Sequence, residues 1–172
     1  MNDRTFLPLN LAVLTVSDSR GEEQDTSGHF LKHAAETAGH RVVAKNIIRD
    51  DIYQLRAVYS RWIADAAVHV IISSGGTGIT GRDCTPEAVK PLLDKEIAGF
   101  GELFRQVSLT EIGTSTVQSR AFGGVANGTF IFCLPGSPGA CRTAWEQILL
   151  PQLDNRTRPC NFAQLIPRLL EH

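Results

Sequence analysis

The sequence predicts an α/β fold, a three-layer α/β/α sandwich whose sheet is mostly parallel with one antiparallel hairpin. Three observations carry that expectation. Short, almost wholly apolar runs alternate along the chain with segments of helical periodicity, the order that places helices on both faces of a sheet. One such run, Val70-Ile71-Ile72, opens into a loop containing Gly75, Gly76, Gly78 and Gly81. An Asn127-Gly128 pair stands between two further apolar runs, the strongest short-range signal of a hairpin.

Leu11 to Val16, LAVLTV, reads as a first strand covered on both faces. It ends in SDSRGEEQDTSG, where Thr26 or Ser27 can cap a helix that stacks Phe30, Leu31, Ala34, Ala35 and Ala38 on one stripe before Gly39. His29 and His33 have the i,i+4 spacing of a metal pair, but they share a polar face with Lys32 and Glu36 and lack a third ligand, so a solvated face is expected. A second strand runs from Arg41 to Ile48, and Asp50 or Asp51 then caps a helix with Ile52, Leu55, Tyr59, Trp62 and Ile63 on its buried face. After the third strand and its loop, Thr85, Pro86 and Glu87 read as N-cap, first helical residue and first-turn acid. Gly99 and Gly101 mark a break before another helix. Ala121 to Ala126 pairs with Thr129 to Leu134, and LPGSPGACRTAW turns into a helix that runs through Leu153. The tail from Asn155 to His172 has two prolines and little regular pattern.

At 172 residues the chain has room for one sizeable core, so residues 1–172 are expected to form a single domain. Lys plus Arg number 17 and Asp plus Glu 18, with no block of one sign, which excludes a nucleic-acid footprint and favours a small-molecule ligand. No run approaches the roughly 20 apolar residues of a membrane span, and Met1-Asn2-Asp3-Arg4-Thr5 carries no apolar leader, so a cytoplasmic protein without a membrane partner is expected. Cys84, Cys133, Cys141 and Cys160 form no ligand spacing, and reduced thiols are expected, with Cys84 a small packing residue.

The glycine loop is the chemical centre of the sequence. Its missing side chains let backbone amides wrap a phosphate, and the helix start after it adds further N–H groups. Asp83 among such amides would repel the ligand unless a divalent cation lay between them, so Mg²⁺-assisted chemistry on a phosphorylated substrate follows. Gly76, Gly78 and Gly81 also match GxGxxG. That loop, however, follows the third strand rather than the first, and the region around Glu102, where a ribose-binding acid would belong, looks helical. Ligands of open α/β sheets bind beyond the carboxyl ends of the strands, which brings together Ser17 to Arg20, Asp50 and Asp51, Gly75 to Asp83, and Pro135 to Gly139.

SSGGTGITGRDCTPEAV, LPGSPGA and TVSDSRGEEQDTSG together resemble the MoaB/MogA family of molybdenum cofactor biosynthesis proteins, which includes the gephyrin G domain and its plant counterpart. The resemblance spans about Leu11 to Phe162, and GTSTVQSRAFGGVANGT with RTAWEQILLPQLDNRTRPCNF is similar to the MoaB branch. It implies a molybdopterin-binding fold and, in active members, Mg²⁺-dependent transfer of AMP from ATP to the terminal phosphate of molybdopterin with release of pyrophosphate. It implies that Gly75, Gly76, Thr77 and Gly78 bind phosphate, that Asp50 and Asp83 are the catalytic acids and hold Mg²⁺, and that Pro135, Gly136, Ser137 and Pro138 touch the pterin. Ser17, Asp18 and Ser19 would border the pocket. Where the family has an acidic P-D-E segment this chain reads Arg49-Asp50-Asp51, leaving Asp51 as a rival to Asp50. The resemblance further implies trimers or hexamers, with a contact surface between Thr85 and Thr110 that exposes Phe100 or Phe104, and a molybdenum-insertion enzyme as a partner. A molybdopterin binder without turnover is the alternative, and a scaffold of the gephyrin type is disfavoured because no second domain or long linker is evident.

Overall fold

A computed structural model describes residues 4–171; Met1 to Asp3, part of the leading stretch read above, and His172 lie outside the described residues. The sheet contains β1 (Asn10–Val16), β2 (Arg41–Ile48), β3 (Val70–Ser74), β4 (Lys95–Ile97), β5 (Phe122–Ala126) and β6 (Thr129–Leu134) in the order β2-β1-β3-β6-β5-β4. The first four strands of that order run parallel, and β5 pairs antiparallel with both β6 and β4. Between β5 and β6, Asn127 and Gly128 take φ of 46° and 81°, the left-handed pair that a tight hairpin requires. The predicted three-layer sandwich is therefore present, with β4 as a short edge strand that the sequence pattern did not announce.

Side chains alternate across the sheet and split the core in two. Leu11, Val13, Val70, Ile72, Phe130 and Phe132 meet α1 (Thr26–Thr37), α4 (Ala98–Ile112) and α5 (Pro138–Ala144) on one face. Ala12, Leu14, Ile71, Ile131 and Cys133 meet α2 (Ile52–Ala64) and α3 (Thr85–Val89) on the other. Every residue of β3 is buried, as expected for a central parallel strand. No helix among the described residues is long and apolar enough to cross a membrane.

Several local expectations change. Asp25, rather than Thr26 or Ser27, caps α1, accepting from the Gly28 amide at 2.9 Å. Cys84 occupies the N-cap position of α3, so Thr85 is already helical. Gly99 and Gly101 lie inside α4 instead of breaking the chain; a Cβ on Gly101 would sit 2.5 Å from the Ala121 carbonyl oxygen, so glycine here permits close helix-to-sheet approach. That approach buries Phe100 and Phe104, which are 2% and 1% exposed, and the outward apolar residues of α4 are Leu103, Leu109 and Ile112.

Register places the site. Val16 pairs with Ile48, Thr15 with Ser74, and Ser74 with Leu134, so the four parallel strands end level with one another. The chain leaves β1 toward β2 on one side and later returns to β3 on the other, which makes the β1/β3 boundary the point where loops diverge and a crevice opens.

Candidate functional site

The glycine loop crosses directly over the end of β1. Gly75 has φ 106° and Gly76 φ 66°, both in the left-handed region. A Cβ at Gly75 would lie 2.1 Å from the Val16 carbonyl oxygen, and one at Gly76 would lie 2.3 Å from Thr85 Oγ1 and 2.6 Å from Asp50 Oδ1. Thr85 pins this geometry: its amide donates to the Gly76 carbonyl at 3.0 Å and its hydroxyl to the Gly75 carbonyl at 2.9 Å. Since α3 has only five residues, the loop amides rather than a helix dipole must make any anion cradle.

The other loops close on the same place. The Gly75 amide donates to the Leu134 carbonyl at 2.9 Å, and a Cβ on Gly136 would come within 3.3 Å of Gly75 Cα. Ser27 Oγ and Arg20 Nη1 both donate to the Gly136 carbonyl, at 2.9 and 3.0 Å, which ties the Pro135–Pro138 turn to the loop after β1. Ser137 caps α5 by accepting from the Ala140 amide at 3.2 Å, with Pro138 as the first helical residue. Ser17 Oγ accepts from the Ser19 and Arg20 amides and so shapes its own turn. The structure thus brings Ser17, Asp18, Ser19, Asp50, the Gly75–Gly78 loop, Asp83 and the Pro135–Pro138 turn to one sheet edge.

The carboxylates differ sharply in what they touch. Asp51 is spent as the N-cap of α2, accepting from the Tyr53 and Gln54 amides at 2.9 and 2.8 Å. Asp83 is partly buried, which pushes its carboxyl up. The Thr80 hydroxyl at 2.6 Å and the amides of Thr80 and Gly78 outweigh that and hold it below the usual range. Asp18 is held low chiefly by Arg82, whose Nε and Nη2 reach its two oxygens at 2.8 Å each, while its Oδ1 also accepts from the Asp50 amide at 3.3 Å. Asp50 is the exception. Its Oδ1 is buried without a hydrogen-bond partner, and burial, reinforced by the charges of Asp18 and Asp83, pushes its carboxyl up to about 6.

A pH test of the ligand-free protein follows. The folded value of about 6 lies above the ordinary 3.8, so the folded state binds this proton more tightly than the unfolded chain does. The stability Asp50 contributes is complete below the ordinary value and is lost as pH rises through about 6. Asp50→Asn should therefore stabilise the protein near neutral pH by about 1 kcal/mol, a figure reduced for solvent screening, and the gain should vanish near pH 4. Urea denaturation of both proteins at the two pH values checks it; a gain independent of pH would show that Asp50 is not the destabilised carboxylate.

Two arginines complete the site. Arg82, beside Asp83 in the loop, joins it to Asp18 across 64 residues of sequence. Arg120 donates to the carbonyls of Gly78, at 2.8 Å, and Asp83, at 3.3 Å, and pairs with Glu87, bracing the loop from behind. Arg82 stands inside the SSGGTGITGRDCTPEAV stretch without a role assigned to it from sequence, and no local pattern marks Arg120. A cavity of about 350 Å³ joins Thr77 and Gly78 to Phe104 and Ile112 on one wall and to Ser137 and Thr143 on another. A second, of about 490 Å³, lies outside Ser17–Gly21 beside Arg49 and Gln54. A larger one, about 630 Å³, sits away from the converging strand ends between α3, β4 and α4 and meets the site at Glu87 and Arg120. Among the described residues no group of three or more His, Cys, Asp or Glu could hold a metal, so a cation here would need ligands from its substrate as well.

Comparison with known proteins gives one consistent result. The family profile described as "Probable molybdopterin binding domain" matches residues 12–155. Molybdenum cofactor biosynthesis protein B of Escherichia coli strain K12 is 59% identical over 157 residues, covering 91% of this chain and 92% of that protein. The protein of the same name from Bacillus cereus is 45% identical over 146 residues, covering 84% and 86%. Among solved structures, a molybdenum cofactor biosynthesis protein B superposes with a TM-score of 0.84 at 43% identity, over 87% of this chain and 94% of that one. A tungsten cofactor synthesizing protein MoaB from Pyrococcus furiosus gives 0.76 at 37%, over 83% and 91%.

Proposed function

Because the chain belongs to the molybdopterin-binding domain family, as a molybdenum cofactor biosynthesis protein of the MoaB type, we propose that it binds molybdopterin and adenylylates its terminal phosphate with MgATP. The observation that carries this reading is the buried, unpartnered Oδ1 of Asp50 against the glycine loop. An acceptor so placed is costly without a cation or donor, and a divalent ion bound partly by phosphate oxygens would relieve it. Asp50 and Asp83 would hold Mg²⁺, which supplies charge neutralisation along the triphosphate.

The protein's own groups do the remainder. The Gly76 and Thr77 amides orient phosphate, those of Gly75 and Gly78 being taken by Leu134 and Asp83, and Arg120 holds that loop in place. The 350 Å³ cavity, walled by Phe104, Ile112 and Ala140 and reaching Ser137, suits a flat heterocycle whose phosphate arm points toward Thr77 and Gly78. A terminal phosphate oxygen of molybdopterin attacks the α-phosphorus; one P–O bond forms, the bond to the β-phosphate oxygen breaks, and its electron pair leaves on pyrophosphate. No covalent enzyme intermediate is needed. Self-association is part of the same proposal, with the outward face of α4 carrying Leu103, Leu109 and Ile112 as the contact surface.

Calorimetry with molybdopterin and its dephosphorylated form tests binding: the phosphorylated ligand should bind more tightly, and equal affinities would remove the phosphate cradle. A Mg²⁺-dependent pyrophosphate-release assay with ATP and molybdopterin tests turnover. Binding without pyrophosphate release would leave a molybdopterin binder that does not catalyse.

A further inference from the structure

We propose that Arg82 is the polyphosphate-binding cation of this site, paired with Asp18 in the structure and handed to the β- and γ-phosphates of MgATP when nucleotide binds. The inference rests on the adenylyl-transfer reading above. Its starting point is placement: Arg82 follows Gly81, where an added Cβ would meet nothing within 4 Å, so this rim of the glycine loop borders open space.

The pairing is easily exchanged. Both partners are solvent-accessible, with side chains 70% and 38% exposed, and an exposed ion pair is worth only about 0–1 kcal/mol. A guanidinium that already makes two parallel bonds to a carboxylate presents the fork that also fits two phosphate oxygens. Arg49 apart, the neighbouring cations are committed elsewhere. Arg20 holds the Gly136 carbonyl, Arg120 is occupied by Glu87 and loop carbonyls, and Lys45 is paired with Asp25 and Glu22.

One exchange would serve two needs. Leaving Asp18, Arg82 supplies positive charge where the electron pair of the breaking α–β bond accumulates on pyrophosphate. Asp18, still tied to the Asp50 amide, is then left as a second free carboxylate beside the unpartnered Asp50 oxygen. The device couples the arrival of polyphosphate to completion of the acidic pair.

The test uses titration calorimetry of the full chain with MgATP, AMP and molybdopterin, together with the pyrophosphate assay. Arg82→Ala should weaken MgATP at least about tenfold while leaving AMP, which lacks the β- and γ-phosphates, within about twofold. Molybdopterin affinity should be unchanged, and Arg82→Lys should recover part of the loss. Arg49→Ala, which removes a nearby positive charge without touching the loop, should cost less than about threefold. Unchanged MgATP affinity in Arg82→Ala, or equal losses for ATP and AMP, would overturn the assignment while leaving the proposed function intact. Wild type that binds no MgATP would remove both.

Discussion

Asp83→Asn is expected to lower pyrophosphate release at least about a hundredfold while fold and molybdopterin binding persist, the scale of losing a preorganised electrostatic contact to the transition state. The substitution keeps the size of the side chain and one carbonyl oxygen to accept from Thr80, whose amide and hydroxyl lie 2.9 and 2.6 Å from Oδ2. What it removes is charge. The same three donors that keep this carboxyl ionised also fix its direction, so the loss falls on cation binding rather than on loop shape. Asp50→Asn should show a comparable drop. Asp51→Asn should not, because asparagine caps a helix about as well as aspartate and the Asp51 oxygen is already engaged by Tyr53 and Gln54. Steady-state rates of the wild type and the three variants decide the matter. An active wild type with an unaffected Asp83→Asn variant would overturn the assignment of the catalytic acid.

Gly75→Ala is expected to cost at least about 3 kcal/mol, enough to deplete the folded protein. Two penalties coincide there. An alanine would be held at φ 106°, and its Cβ would lie 2.1 Å from the Val16 carbonyl oxygen, which belongs to the adjoining strand and cannot withdraw without parting β1 from β3. Gly81→Ala is the matched comparison. Its φ is not in the left-handed region and nothing lies within 4 Å of the added carbon, so its effect should stay within about 0.5 kcal/mol. Urea midpoints for the two variants provide the check; a Gly75→Ala protein as stable as wild type would refute the close-approach argument.

The strands, the main helices and the hairpin were legible because each is signalled by a local repeat or a turn pair, as in LAVLTV and Asn127-Gly128. Convergence of the site loops was legible for a related reason, since parallel strands of an open sheet must end on one edge. Contacts set by the third dimension were not. Gly101 reads as a breaker until the Ala121 carbonyl is seen beneath it, and three residues of edge strand at Lys95 carry too little pattern to register. Asp25 displaced Thr26 as the cap because it also accepts from the Thr15 hydroxyl at 2.8 Å, a partner on another element. The different settings of Asp50 and Asp51 needed the same information: adjacent in sequence, Asp51 caps the start of a helix while an Asp50 oxygen lies against the loop. Arg120 was invisible for want of any short motif linking it to Gly78, 42 residues earlier.

The bond from the Gly75 amide to the Leu134 carbonyl, with Gly136 packed on the Gly75 α-carbon, has a bearing on how this protein emerges from a ribosome. Every residue of the first half of the site is synthesised well before its lid at Pro135–Pro138, and β3 has no partner on that flank until β6 arrives. A nascent chain halted before residue 129 therefore leaves one edge of β3 unpaired next to an unshaped loop. Ligand cannot act as an early folding template here, because the cradle it would stabilise comes into being only with the last strand.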